Sequence, residues 1–262
     1  MKLTAEQKAC NDDYIRYGKV TKKYPREILM LVGVGCVWGK CTFCDYHLDR
    51  NVSVIKNFNI NKKAIDMLTG EFKCVQVIDS GSTFELDFMT MIYLRDRCAK
   101  LGIEEIIFEN HALYGQYRYM LDEVFGEVDI RIKSIVGAES LLPEFRDKYF
   151  NKGYGNVTAN QLSMEFEWVN ILIGFKGDSL TRITTDASLA LEYFERVTFN
   201  VFSPNSTSFE RDDELIDKFY KSDLFANLKI LDRVEILDDL DPRCEHSFDN
   251  VGAKTWQINL EK

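Results

Sequence analysis

Short apolar runs recur along this chain, separated by stretches in which apolar and polar residues alternate at helical spacing. Runs of this length, bounded by turn residues, read as strands. They are Ile28-Leu29-Met30-Leu31-Val32, extending to 33, then Cys74-Val75-Gln76-Val77-Ile78, Ile106-Ile107-Phe108, Trp168 to Ile173, Val197 to Phe202, and Val234-Glu235-Ile236-Leu237. Asp129 to Ile135 alternates in period two and also reads as a strand, with Arg131 and Lys133 on one face. A further short strand is expected near 157–160, after the turn at Gly153 and Gly155.

Helices are expected between these strands. Thr4 and Gln7 form a capping box that would open an N-terminal helix to about Tyr17. Asn61 would cap a helix over 62–69 that Gly70 ends, and 86–101 would stop at Gly102. Residues 112–121 are helical and rich in tyrosine, and 140–150 carries Pro143 in its first turn. Asp186 would cap 187–195, and the charged stretch 210–221 would be a helix on a solvated outer face.

Six or seven strands alternating with helices predict a parallel sheet with right-handed crossovers. They are too few for eight β/α units, so the expected fold is α/β, a partial, open (β/α)6 barrel with a helical N-terminal extension. We expect one domain over 1–262: the extension over 1–24, the barrel over 25–237 and an acidic tail over 238–262.

The chain's 262 residues are 45% hydrophobic, enough for a sizeable core. Its formal charge of −9, with no dense Lys/Arg block, disfavours a polymeric nucleic acid as partner and leaves a nucleotide or other small molecule open. The longest apolar run is too short to span a bilayer, so no membrane partner is expected. Seven cysteines, an odd count without a secretory leader, point to a reducing, cytoplasmic setting.

Three of those cysteines change the picture. Cys36, Cys41 and Cys44 fall within nine residues, spaced C-x4-C-x2-C, directly after the first strand. Glycines at 33, 35 and 39 let the backbone turn tightly there. Thiolates select iron–sulfur clusters, zinc or cuprous copper. A cubane cluster normally takes four cysteines; three would leave one iron open for reaction. The alternative is a closed zinc site of Cys36, Cys41, Cys44 and His47, serving a zinc-stabilised binding module.

This stretch resembles the radical S-adenosylmethionine (SAM) superfamily, although the commonest family spacing, C-x3-C-x2-C, is one residue shorter. The resemblance implies a [4Fe–4S] cluster on Cys36, Cys41 and Cys44, with SAM chelating the open iron and cleaved to an adenosyl radical. It implies Phe43 beside the adenine. It also implies that Ser80-Gly81-Ser82, within the run Asp79 to Glu85, stands where the family's small-residue motif binds the SAM amino group. Lys133 would face the SAM carboxylate, and Gly174, in the Gly-x-x-Gly turn after the strand ending at Ile173, would lie near the adenine. An electron donor such as flavodoxin or ferredoxin is implied as partner.

Polar residues after the strands supply candidates for the remaining chemistry. Glu109-Asn110-His111 would be a pocket, or a helix cap with one surface histidine. Glu109, His111 and Asp45 are the catalytic candidates; Tyr46, His47 and Asn205 are the substrate-binding ones. The runs around Cys36 to His47 and Asn200 to Ser206 resemble a group of small bacterial radical SAM proteins that includes queuine lyases, which release queuine from queuosine 5′-phosphate. The expected function is that of a lyase on such a modified nucleotide. Radical modification of another small molecule or a peptide is the alternative enzyme reading.

Overall fold

The computed structural model describes residues 14–238 and 240–241. The strands are β1 (Tyr17–Val20), β2 (Arg26–Leu31), β3 (Cys74–Asp79), β4 (Glu105–Asn110), β5 (Arg131–Glu139), β6 (Trp168–Ile173), β7 (Arg196–Val201) and β8 (Val234–Leu237). The helices are α1 (Val54–Asp66), α2 (Phe88–Leu101), α3 (Arg118–Gly126), α4 (Pro143–Phe150), α5 (Ala159–Ser163), α6 (Leu180–Tyr193), α7 (Asp213–Tyr220) and α8 (Asp223–Lys229). Neighbouring strands follow chain order from β1 to β8. β2 with β3, β3 with β4, and each pair from β5 to β8 are parallel. Consecutive parallel strands joined by helices are the order of a β/α barrel, and the fold class is the expected α/β. Among the described residues no helix is long and apolar enough to cross a membrane.

The chain divides into two compact units. Among the described residues the first comprises 14–39 and Asp45–Lys133, the second Lys40–Cys44 and the chain from Ser134 onward. The first unit's core packs Leu29 and Leu31, Val75 and Val77, and Ile106 and Phe108 against Ile65 of α1, Leu94 and Cys98 of α2 and Phe125 of α3. These strand residues alternate with the period of two that places one set on the helix side. In the second unit Phe150, Leu172, Phe175 and Phe202 form a smaller cluster, against which Phe43, Phe145, Tyr149 and Phe209 pack.

Several expectations are corrected. The N-terminal helix falls mostly on residues 1–13, outside the described residues. Where its end was expected, Tyr17–Val20 is a strand, antiparallel to β2. It covers the edge of β2, which would otherwise present unpaired backbone groups, and Tyr17 Oη donates to Glu27 at 2.8 Å. α1 starts at Val54 with Ser53 as its cap. Asn61 is instead buried in mid-helix, where its amide accepts the Val32 N–H at 2.8 Å and donates to the Val32 carbonyl at 2.9 Å. The β2–β3 ladder ends at Leu31, so Val32 needs that partner.

Residues 112–121 divide into a 3-10 stretch, Ala112–Tyr117, followed by α3. The strand expected near 157–160 is the start of α5, because Thr158 and Gln161 form a capping box. Asp186 caps nothing. Ser179 caps α6, and Asp186 is buried within it, accepting from Ser140 Oγ, the Leu141 N–H and Arg182. The stretch expected as a solvated outer face holds α7, whose Leu215, Ile216, Phe219 and Tyr220 are buried. Arg131 and Lys133 do not share one environment: Arg131 is largely exposed and pairs with Glu105 at 2.8 Å, while Lys133 is half-buried.

Candidate functional site

In the first unit the chemistry gathers at the C-terminal ends of β2, β3 and β4. The chain leaves β2 through Gly33, whose N–H donates to Ser80 Oγ at 3.0 Å. Beyond β3, Asp79 Oδ1 accepts the Gly81 N–H at 2.6 Å. Ser82 Oγ accepts the His111 N–H at 2.9 Å, so the turn after β3 is tied to the turn after β4. Ser80 and Ser82 are both buried, their hydroxyls holding neighbouring backbone.

Glu85 is the hub of this end. One carboxylate oxygen accepts the Val37 N–H at 2.7 Å and Tyr114 Oη at 2.8 Å, and the other accepts the Ser82 N–H at 2.9 Å. A Cβ added at Gly81 would stand 1.8 Å from Glu85 Oε2 and 2.8 Å from Cys36 Cα. Glycine is therefore required there, because the cysteine stretch and the carboxylate both approach its bare face.

Glu109 accepts from Gln76 Nε2 at 2.5 Å, and Gln76 Oε1 accepts from Arg26 Nε at 2.6 Å. This relay across three strands, buried at Arg26 and Gln76, orients the half-buried Glu109. His111 is 6% exposed; its ring stacks on Trp38 at 5.8 Å between centroids, and its Nδ1 accepts the Leu113 N–H at 3.3 Å. It is both a cap and a buried ring. Asp45 is buried ahead of the 3-10 turn Tyr46–Leu48, with Tyr46 exposed and His47 half-buried. Beside it Arg16 and Asp49 form a buried two-point ion pair at 2.9 and 3.0 Å.

In the second unit the segment 40–44 is bound to the end of α4. The Thr42 N–H donates to the Phe150 carbonyl at 3.3 Å, and Asn151 Nδ2 donates to the Lys40 carbonyl at 2.9 Å. Asn205 Nδ2 donates to the Phe43 carbonyl at 2.6 Å, while its Oδ1 accepts the Thr207 N–H at 3.0 Å. Phe43 sets its ring edge-on to Phe150 and Phe209, at 5.4 and 6.3 Å. Gly174 turns with φ +77° and is enclosed: its N–H donates to Asp178 at 2.9 Å, and a Cβ there would meet Ile216 at 2.5 Å.

Cys36, Cys41 and Cys44 are all half-buried thiols outside any disulfide. Among the described residues no group of three or more His, Cys, Asp or Glu is arranged to hold a metal ion. The donor set nonetheless suits an iron–sulfur cluster: three soft thiols, accessible, on a glycine-hinged loop at the end of a strand. Two residues escaped sequence reasoning. Glu85 closes the run Asp79 to Glu85, and nothing in the sequence marks it as the hub; Lys152, a buried lysine beyond α4, carries no sequence signal at all.

No protein-family model matches the chain, and no curated protein matches it. Among solved structures it is similar to a queuine lyase from Clostridium spiroforme bound to SAM and queuine, with a TM-score of 0.80 and 30% identity over 85% of this chain and 95% of that one. At that identity and coverage the fold and the cysteine stretch converge on one assignment: the chain belongs to the queuine lyase group of the radical SAM superfamily.

Proposed function

We propose that this chain is a lyase that releases queuine from queuosine 5′-phosphate, using SAM and a [4Fe–4S] cluster held by Cys36, Cys41 and Cys44. The observation that carries the reading is the likeness to a solved queuine lyase over nearly all of that chain's length. When bound, the cluster and SAM would supply one-electron chemistry and the abstraction of a hydrogen atom from the substrate.

The chain's own residues supply placement. Glu85 and Ser80 fasten the start of the cysteine loop by accepting the backbone N–H groups of Val37 and Gly33. Asn205 and Asn151 fasten its later part through carbonyls, and Phe43 presents an aromatic wall. The backbone at Ser80, Gly81 and Ser82 would take the amino end of SAM. Glu109, oriented through Gln76, would hold or move a proton on the substrate; its anchored carboxylate loses little freedom on binding. His111 would present its edge beside Trp38.

The test is to incubate the anaerobically reconstituted protein with SAM, a low-potential reductant and queuosine 5′-phosphate, and to look for queuine by mass spectrometry. Free queuine accompanied by 5′-deoxyadenosine is the expected result. SAM cleavage without base release rejects the substrate. Protein that purifies with zinc and no sulfide rejects the cluster as well.

A further inference from the structure

A lysine is seldom buried unless something holds its charge. Lys152 is 5% exposed. Its Nζ lies 3.3 Å from Glu139 Oε1 and 5.6 Å from the centre of the Phe43 ring. Phe43 stands between Cys41 and Cys44 in the chain. The backbone and amide bonds from Phe150 and Asn151 to Thr42 and Lys40 seat that segment against the turn that carries Lys152. Asn151, in the left-handed region at φ +50°, turns the chain so that Lys152 points inward. Burial opposes the Lys152 charge, but Glu139 first, then Cys41, Tyr154 and Cys44, outweigh it, so its pKa is raised.

A buried ion pair by itself adds little net stability compared with apolar residues of the same volume. The place of this pair against Phe43, on the segment that carries Cys41 and Cys44, calls for another role. We propose that Lys152, balanced by Glu139, is a positioning residue that sets the charge at the sulfurs of Cys41 and Cys44, and through them the reduction potential of the cluster they hold. The inference rests on the cluster assignment made under the proposed function. A fixed cation in a low-dielectric setting stabilises the more negative, reduced form of a thiolate-bound centre, and charge around the sulfurs is a main lever on such potentials.

The test uses the whole chain reconstituted anaerobically without SAM, titrated with low-potential mediators and followed by electron paramagnetic resonance. Lys152→Met should move the midpoint to a more negative value. Glu139→Gln, which keeps the hydrogen bond but removes the balancing charge, should move it to a more positive one. Lys152→Arg should leave it near the wild-type value. Opposite shifts from the two halves of one ion pair are not produced by a merely structural role. Should Lys152→Met fail to fold, the Glu139→Gln and Lys152→Arg pair still decides the question.

Loaded variants with unmoved potentials overturn the inference while leaving the proposed function standing. So does a Lys152→Met protein whose potential is unchanged but whose SAM binding is weakened, since the cation then serves SAM. A wild-type chain that takes up no cluster overturns both.

Discussion

The Glu85 carboxylate accepts the Val37 N–H at 2.7 Å, one residue past the first cysteine of the cysteine loop. The same side chain holds Ser82 and Tyr114, so one buried carboxylate joins the cysteine loop, the turn after β3 and the aromatic stretch after β4. Replacing Glu85 by Ala leaves three donors without their acceptor. Buried groups stranded in this way make the expected loss about 3 kcal/mol, read by urea denaturation. Glu85→Gln keeps the shape and loses less stability, yet should take up less iron per chain on reconstitution, because an amide nitrogen then faces one of the donors. Wild-type iron content in Glu85→Gln would show that the loop does not depend on this carboxylate.

Asp79 yields a pH prediction. One of its oxygens accepts the Gly81 N–H, and among the described residues the other, fully buried, has no hydrogen-bond partner. Burial raises its pKa well above the usual carboxylate range; the Gly81 bond pulls it back, and the Glu85 and Glu109 charges push it up again. A carboxyl whose folded pKa is raised favours the fold while protonated. Its contribution is complete below the unfolded value and falls as pH rises from there through the folded value. Asp79→Asn should remove that fall and unfold at higher urea than the wild type near neutral pH. Parallel stability curves for the two proteins between about pH 4 and about pH 8 would refute this.

Asn61 secures the exit from β2 through both backbone groups of Val32. Asn61→Ala should cost about 3 kcal/mol, since it strands a buried N–H and a buried C=O together. Asn61→Asp should be costly too, for it can accept from the Val32 N–H but cannot donate to the carbonyl. Thermal unfolding followed by circular dichroism measures both; a melting point unchanged by Asn61→Ala would contradict the assignment.

Asn205, a substrate-binding candidate in the sequence, grips the backbone at Phe43 and at Thr207 with its amide. Asn205→Ala should therefore loosen the 40–44 segment, lower iron retention during gel filtration and raise the rate of SAM cleavage in the absence of substrate. If only the KM for the nucleotide moves, the substrate role stands in place of the structural one.

The sequence by itself determined where most of the strands lie and that three soft thiols follow the first parallel one. Apolar runs located β2, β3, β4, β6, β7 and β8 because a strand buried on both faces must be apolar along its length. The cysteine spacing named its ligand class because thiol softness is a property of the residue and not of its surroundings. Tertiary structure decided what each polar residue does. Asn61 and Asp186 read in sequence as helix caps, since local hydrogen bonding favours that place; each instead serves groups distant in the chain. Glu85 and Lys152 gain their importance from burial, and burial is a property of the packed elements around a residue, which no local pattern carries.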